Sequence, residues 1–112
     1  MADLYNVSKE VFAYDPSVKG TDGYVIMEFI GFHQTLEEAQ LLMDTAVKAT
    51  LERFENNPVE VDTEATEYLK GFKQKLEEEY KDQSDRHVFH IYGNRLYHWQ
   101  IVKSNKTSAD IN

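Results

Sequence analysis

The chain of 112 residues contains no cysteine. This absence excludes a disulfide-stabilised scaffold, zinc sites built from thiolates, and catalysis by a thiol nucleophile. No apolar run approaches the ~20 residues that a membrane-spanning helix needs. The first ten residues, MADLYNVSKE, lack the basic and apolar regions of a signal peptide. We therefore expect a cytoplasmic protein with no membrane segment.

Motifs that carry catalysis or hold cofactors are also lacking. The sequence has no GxSxG, Walker, GxGxxG or HExxH pattern. His87 and His90 have the spacing of a ligand pair, but residues three apart on a strand point to opposite faces. A site built from His87 and His98 lacks a third ligand, and His90 beside Tyr97 is better explained by cross-strand packing than by proton transfer. We predict no catalytic residues, no metal ion and no cofactor.

Basic residues are scarce relative to acidic ones. The chain has 12 Lys and Arg against 20 Asp and Glu, a net charge of −8. Residues 35–82 hold thirteen of the acids and six of the bases, a net charge of −7. An acidic body disfavours non-specific binding to phosphate backbones. It suits solubility, a basic protein partner, or imitation of the charge of a nucleic acid.

The longest helix signal covers residues 35–54. Thr35 can cap the first turn, and Glu38 stands three residues later, which is the spacing of a capping box. Pro58 ends the helix because it lacks the amide that continuation needs. One stripe of this helix has the spacing of a core-facing side. Its residues are Leu36, Ala39, Met43, Ala46, Val47, Thr50 and Phe54.

The opposite face of this helix is charged and has one leucine in its middle. Its residues are Glu37, Leu41, Asp44, Lys48 and Glu52. A single exposed leucine is ordinary, but apolar surface among charges also marks interfaces. We predict that this face binds a protein partner with a basic surface, such as a nucleic-acid-binding protein. A bacterial or phage inhibitor or adaptor is one concrete version.

Four further elements flank or follow this helix. Residues 8–15 and 24–32 have strand patterns, and the second is apolar on both faces apart from Glu28. Such a strand is normally central and covered on both sides, by helices or by a second chain. Residues 64–82 form a second amphipathic helix. Residues 86–102 form a hairpin, with Gly93 and Asn94 as its turn.

The element order ββ-α-α-ββ predicts one α+β domain over residues 1–102, followed by a disordered tail over residues 103–112. We expect two layers, with an antiparallel sheet of about four strands and both helices packed on one face. The strand at 24–32 should be central. The apolar surface exceeds what such a monomer needs, and a homodimer could cover the surplus.

The hairpin offers an alternative function. It interleaves aromatic and basic residues, and aromatic rings on a sheet beside basic neighbours can stack with the bases of a single-stranded nucleic acid. The candidate residues are Tyr92, Arg95, Tyr97 and Trp99. The competing interpretation is that these rings pack beneath a helix as core.

Overall fold

A computed structural model describes residues 3–21, 24–82 and 86–104, with only the backbone for residues 24 and 25. The elements in chain order are β1 (Leu4–Ala13), β2 (Tyr24–His33), α1 (Leu36–Asn56), α2 (Thr63–Tyr80), β3 (Arg86–Tyr92) and β4 (Arg95–Ser104). The α+β class and the order ββ-α-α-ββ are confirmed. Neither of these helices is long and apolar enough to cross a membrane.

The four strands form one antiparallel sheet in the order β2-β1-β4-β3. The hairpin register is the predicted one, with Tyr92 opposite Arg95 and Val88 opposite Trp99. Gly93 has a φ of 62°, which the tight turn requires and glycine adopts without strain. Strand β4 continues through Ser104, so it extends two residues beyond the predicted domain boundary. Residues 105–112 of the predicted tail lie outside the described residues.

The two helices lie on opposite faces of the sheet, so the prediction that they share one face is wrong. Side chains alternate between the faces of a strand. Along β4, Trp99 and Ile101 pack in a cluster with α1, whereas Leu96 packs in a cluster with α2. The reason is visible in the hairpin, which carries large apolar side chains on both of its faces. Each face therefore needs a helix of its own, and the fold has three layers.

Strand β2 lies at the edge of the sheet, which corrects its predicted central position. Its two-sided apolar pattern has a different cause. On one face, Ile30 packs beneath α1, and a Cβ at Gly31 would stand 3.0 Å from Leu42 Cδ2. On the other face, Met27, Phe29 and Phe32 are left exposed. A pattern that indicates burial on both sides here marks one covered and one uncovered side.

Both helices begin at a side-chain cap, and the one at Thr35 is the predicted cap. The Thr35 hydroxyl accepts a hydrogen bond from the Glu38 amide at 3.2 Å and donates one to its carboxylate at 2.9 Å. The Asp62 carboxylate accepts from the Ala65 amide at 3.0 Å. These bonds satisfy amides that a helix start leaves unpaired. Between the helices, the segment at residues 57–62 passes around the β3 edge from one face of the sheet to the other.

Candidate protein-binding surfaces

The predicted face of α1 is exposed to solvent along its length. All five of its residues, Glu37, Leu41, Asp44, Lys48 and Glu52, are exposed. Leu41 has 69% of its surface accessible, so the helical phase taken from the sequence is correct. This set is not wholly free of partners, because Asp44 forms an ion pair with Arg86 of β3 at 3.0 Å. The face therefore presents Leu41 among carboxylates, and the charge of one of them, Asp44, is partly neutralised by Arg86.

A second exposed surface lies on the face of the sheet that α2 covers only in part. Met27, Phe29 and Phe32 of β2 are 64%, 61% and 53% exposed there. We call these three residues the bare sheet surface. Their cross-strand neighbours on β1 are Glu10, Ser8 and Asn6. Glu10 is bonded to His98 beneath α2, so all three side chains share the face on which α2 lies.

A bulge in β2 brings two aromatic rings onto this one face. Val7 pairs with Gly31 and Ser8 pairs with Phe29, so Ile30 is an extra residue on β2. Without the bulge, Phe29 and Phe32 would point to opposite faces, because they are three residues apart. With it, their rings stack at a centroid distance of 6.5 Å. The bulge thus builds the bare sheet surface.

The position of α2 explains why this surface remains bare. α2 packs on β3 and β4 and reaches the end of β1, where Phe72 meets Phe12 at a centroid distance of 4.8 Å and Tyr68 meets Tyr14 at 5.3 Å. The Tyr14 hydroxyl also donates a hydrogen bond to Glu64 in the first turn of α2. The helix is therefore held over one half of the sheet.

The hairpin aromatics occupy very different environments. Trp99 is fully buried in the cluster beneath α1, so it cannot stack with a base in this structure. Tyr97 is half-buried between Trp99 and Phe54. Tyr92 stacks on Phe54 with the ring centroids 3.8 Å apart. The interpretation of these rings as core is confirmed for Trp99, and Arg95 is the one exposed member of the predicted set.

A shallow groove of about 520 Å³ lies where the segment at residues 57–62 crosses the β3 edge. Its walls are largely apolar, with Phe54, Val59 and Tyr92 among them, and His90 also lines it. Burial lowers the pKa of His90 below its usual range. The His90 ring stacks on Phe54 at 5.5 Å.

The most unusual polar feature is a buried chain of three side chains beneath α2, which we call the Glu–His–His chain. Glu10 Oε1 lies 2.8 Å from His98 Nδ1, and His98 Nε2 lies 2.8 Å from His87 Nδ1. His87 Nε2 lies 3.3 Å from the Tyr80 carbonyl oxygen. Glu10 is 1% exposed and His98 is fully buried. The sequence indicated the pairing of His87 with His98 but not the third member, because Glu10 is far from both histidines in the sequence, although β1 lies next to β4 in the sheet.

Hydrogen-bond geometry predicts the number of protons in the chain. The Tyr80 carbonyl can only accept, so His87 Nε2 donates. The next two contacts each need one proton between two electron-pair donors. The chain therefore makes all three hydrogen bonds only when three protons are present, which makes Glu10, His98 and His87 neutral in sum. A buried group of this kind is stable because it is both satisfied and uncharged overall.

The Glu–His–His chain is arranged in series, and this arrangement does not suit a metal ion. Its nitrogen atoms face one another instead of converging on one point. Among the described residues, no group of three or more His, Asp or Glu side chains is placed to hold a metal. His87 and His90 point to opposite faces, as predicted: His87 stacks on Tyr80 of α2, and His90 stacks on Phe54 of α1.

No family model, curated protein or solved structure matches this chain. What it binds must therefore follow from its own surfaces. Of these, the exposed face of α1 was predicted from the sequence. The bare sheet surface was not predicted, because the sequence pattern of β2 does not show which side a helix covers.

Proposed function

We propose that the chain is a non-enzymatic protein-binding module whose main contact is the bare sheet surface. One observation carries the proposal: Met27, Phe29 and Phe32 lie on one face with 53–64% of their surface exposed. Burying a side chain of this size contributes about 1.5–3 kcal/mol. Grouped exposed apolar side chains usually mark an interaction site.

The acidic face of α1 serves as a second contact in this proposal. It lies on the other side of the sheet and presents Leu41 among Glu37, Asp44 and Glu52. Carboxylates around an exposed apolar residue favour a partner with basic residues around an apolar pocket. A bacterial or phage inhibitor that occupies the basic surface of a nucleic-acid-binding protein fits this chemistry. Single-strand binding by the hairpin is less well supported, because Trp99 is buried.

Matched variants test which surface binds. We would compare wild-type protein, Phe29→Glu and Leu41→Glu as baits in affinity capture, after circular dichroism has shown that each is folded. Each substitution adds one carboxylate at an exposed apolar position, so the two variants have the same net charge. We expect Phe29→Glu to reduce the captured amount of a specific partner by about tenfold or more. Leu41→Glu should reduce the captured amount of basic partners only.

Three outcomes would count against this proposal. Loss of every partner on Leu41→Glu alone would make α1 the main contact and remove the bare sheet surface from its role. If both variants captured the same amount of partner as the wild type, neither surface would be the binding site. Turnover of a bound small molecule by the wild-type protein would show that the module is an enzyme.

A further inference from the structure

We propose that the bare sheet surface is covered by a second copy of this chain, in a two-fold symmetric dimer whose sheets pack face to face. The inference rests on the proposed function, since it names the partner of the same surface. Three features of the molecule favour a second copy: the shape around the surface, its area and its charge.

The α2 side of the molecule is raised over one half of the sheet and flat over the other, so two copies can be complementary in shape. α2 rises from one half of the sheet face and leaves the other half flat, with Phe72 over Phe12 at the boundary. Packed sheets lie ~10 Å apart, and a helix with its side chains is ~10–12 Å across. In a second copy related by a two-fold axis, the uncovered half of the sheet can therefore pack on the uncovered half of the first. Each α2 then stands beside the partner's β2, whose outer edge pairs with no described strand.

Such a dimer also solves a problem at the edge of the sheet. β2 is ten residues long and contains no proline. Its one carboxylate, Glu28, is paired with Lys9 at 3.0 Å. A long apolar edge strand that has no proline, and whose one carboxylate is already paired, tends to pair with other chains. In the face-to-face arrangement the partner's α2 covers this edge, so the assembly closes at two copies.

The bare sheet surface supplies a little under half of the area of a standard dimer contact. A large apolar side chain has ~200 Å² of surface, so the exposed fractions of Met27, Phe29 and Phe32 correspond to ~350 Å² per copy. A standard interface buries ~800 Å² per partner. The flank of α2, which includes Tyr68 and Phe72, and the β2 edge supply additional contact area.

The charge distribution permits self-association despite a net charge of −8. The surface itself is uncharged, and so are its neighbours Asn6 and Ser8. The third neighbour, Glu10, is 1% exposed and bonded to His98, so it presents no exposed carboxylate there. The exposed carboxylates of Glu37, Asp44 and Glu52 lie on α1, behind the opposite face of the sheet. In the dimer both α1 helices point outward, farther apart than the Debye length of ~8 Å at physiological salt. Both acidic faces therefore remain available to a further partner.

Sedimentation velocity over about a hundredfold range of concentration tests the proposal. We expect the wild-type protein to move from monomer to dimer. Phe29→Glu should weaken dimerisation on the order of 100-fold, because two carboxylates would enter an apolar contact. Leu41→Glu, with the same change in charge, should dimerise like the wild type. Phe32→Ser removes apolar area without adding charge, and it should weaken dimerisation on the order of 10-fold if Phe29→Glu does not fold.

Two results would overturn the dimer. A wild-type protein that stays monomeric throughout the range excludes a second copy as the occupant. A dimer that is equally stable in the wild type, Phe29→Glu and Phe32→Ser must use another surface. Neither result alone refutes the proposed function, since a different protein could still bind the bare sheet surface. That function fails only if capture by Phe29→Glu also equals capture by the wild type.

Discussion

The two faces of the sheet are covered in different ways. On the α1 side, the helix lies across β2, β1 and β4, and the residues beneath it form one apolar cluster that contains Met43, Trp99 and Ile101. On the α2 side, the helix covers β3 and β4, and the face is divided into an apolar cluster, the Glu–His–His chain and the bare sheet surface. The α1 face is held by one continuous apolar cluster, whereas the α2 face leaves Met27, Phe29 and Phe32 exposed.

The largest expected effect tests the apolar face. Trp99→Ala should lower the free energy of unfolding by about 4 kcal/mol, since it removes a fully buried aromatic side chain from the middle of the cluster. Urea unfolding monitored by circular dichroism measures this loss. Trp99→Phe is the matched control. It keeps most of the apolar volume and removes an indole N–H that has no hydrogen-bond partner among the described residues.

Trp99→Phe should therefore cost less than half as much as Trp99→Ala. If Trp99→Ala lost less than about 1 kcal/mol, the α1 face would not be the main source of stability. The contrast between the two faces of the sheet would then lose its energetic basis.

A somewhat smaller effect tests the polar part of the other face. His98→Leu removes the middle of the Glu–His–His chain and leaves Glu10 buried without its partner. Breaking a buried pair in this way costs about 3 kcal/mol or more. Glu10→Gln is the control, because its amide can donate a hydrogen bond to His98 Nδ1. It should stay within about 1 kcal/mol of the wild type.

Equal losses in His98→Leu and Glu10→Gln would contradict the proton count of the chain. The same count can be checked without substitution. Nitrogen-15 NMR of the histidine rings should show His87 protonated at Nε2 and His98 protonated at Nε2 at neutral pH.

The sequence predicted the parts of the fold that depend on local spacing. The cap at Thr35, the stripe of α1 and the hairpin register around Gly93 all follow from residues near one another in the chain. It wrongly placed both helices on one face of the sheet. The face that each helix covers depends on contacts between distant residues, such as Phe12 with Phe72. The same limit hid Glu10 from the His87–His98 pair, and it made the two-sided pattern of β2 appear central.

A moderate effect is expected from pH, and it involves one histidine on each face. Burial lowers the pKa of His87 from 6.5, although its bond to the Tyr80 carbonyl and the charges of Glu77 and Glu10 oppose the shift. Burial also lowers the pKa of His90. Since the unfolded chain then binds more protons, these groups add stability above pH 6.5 and lose it as pH falls below that value.

Histidine proton NMR titration and urea unfolding across this interval measure the effect. His90→Phe should remove part of the pH dependence, because the new ring keeps the stack on Phe54 but cannot bind a proton. The pH dependence that remains in His90→Phe should come from His87, which lies beside His98 and Glu10 on the α2 face. A His87 pKa of 6.5 would remove its contribution, and a higher pKa would reverse the expected sign.

The smallest effect on folding is expected at the exposed face of α1. Leu41→Glu should change the free energy of unfolding by less than about 0.5 kcal/mol, because Leu41 is 69% exposed and loses little buried area. The added carboxylate also lies four residues from Glu37, which introduces a repulsion of a few tenths of a kcal/mol. Thermal unfolding of the variant at low and high salt separates this repulsion from any packing loss, since salt screens only the repulsion. A loss above about 2 kcal/mol that persists in high salt would show that Leu41 is packed, and the exposed face of α1 could not then serve as a binding surface.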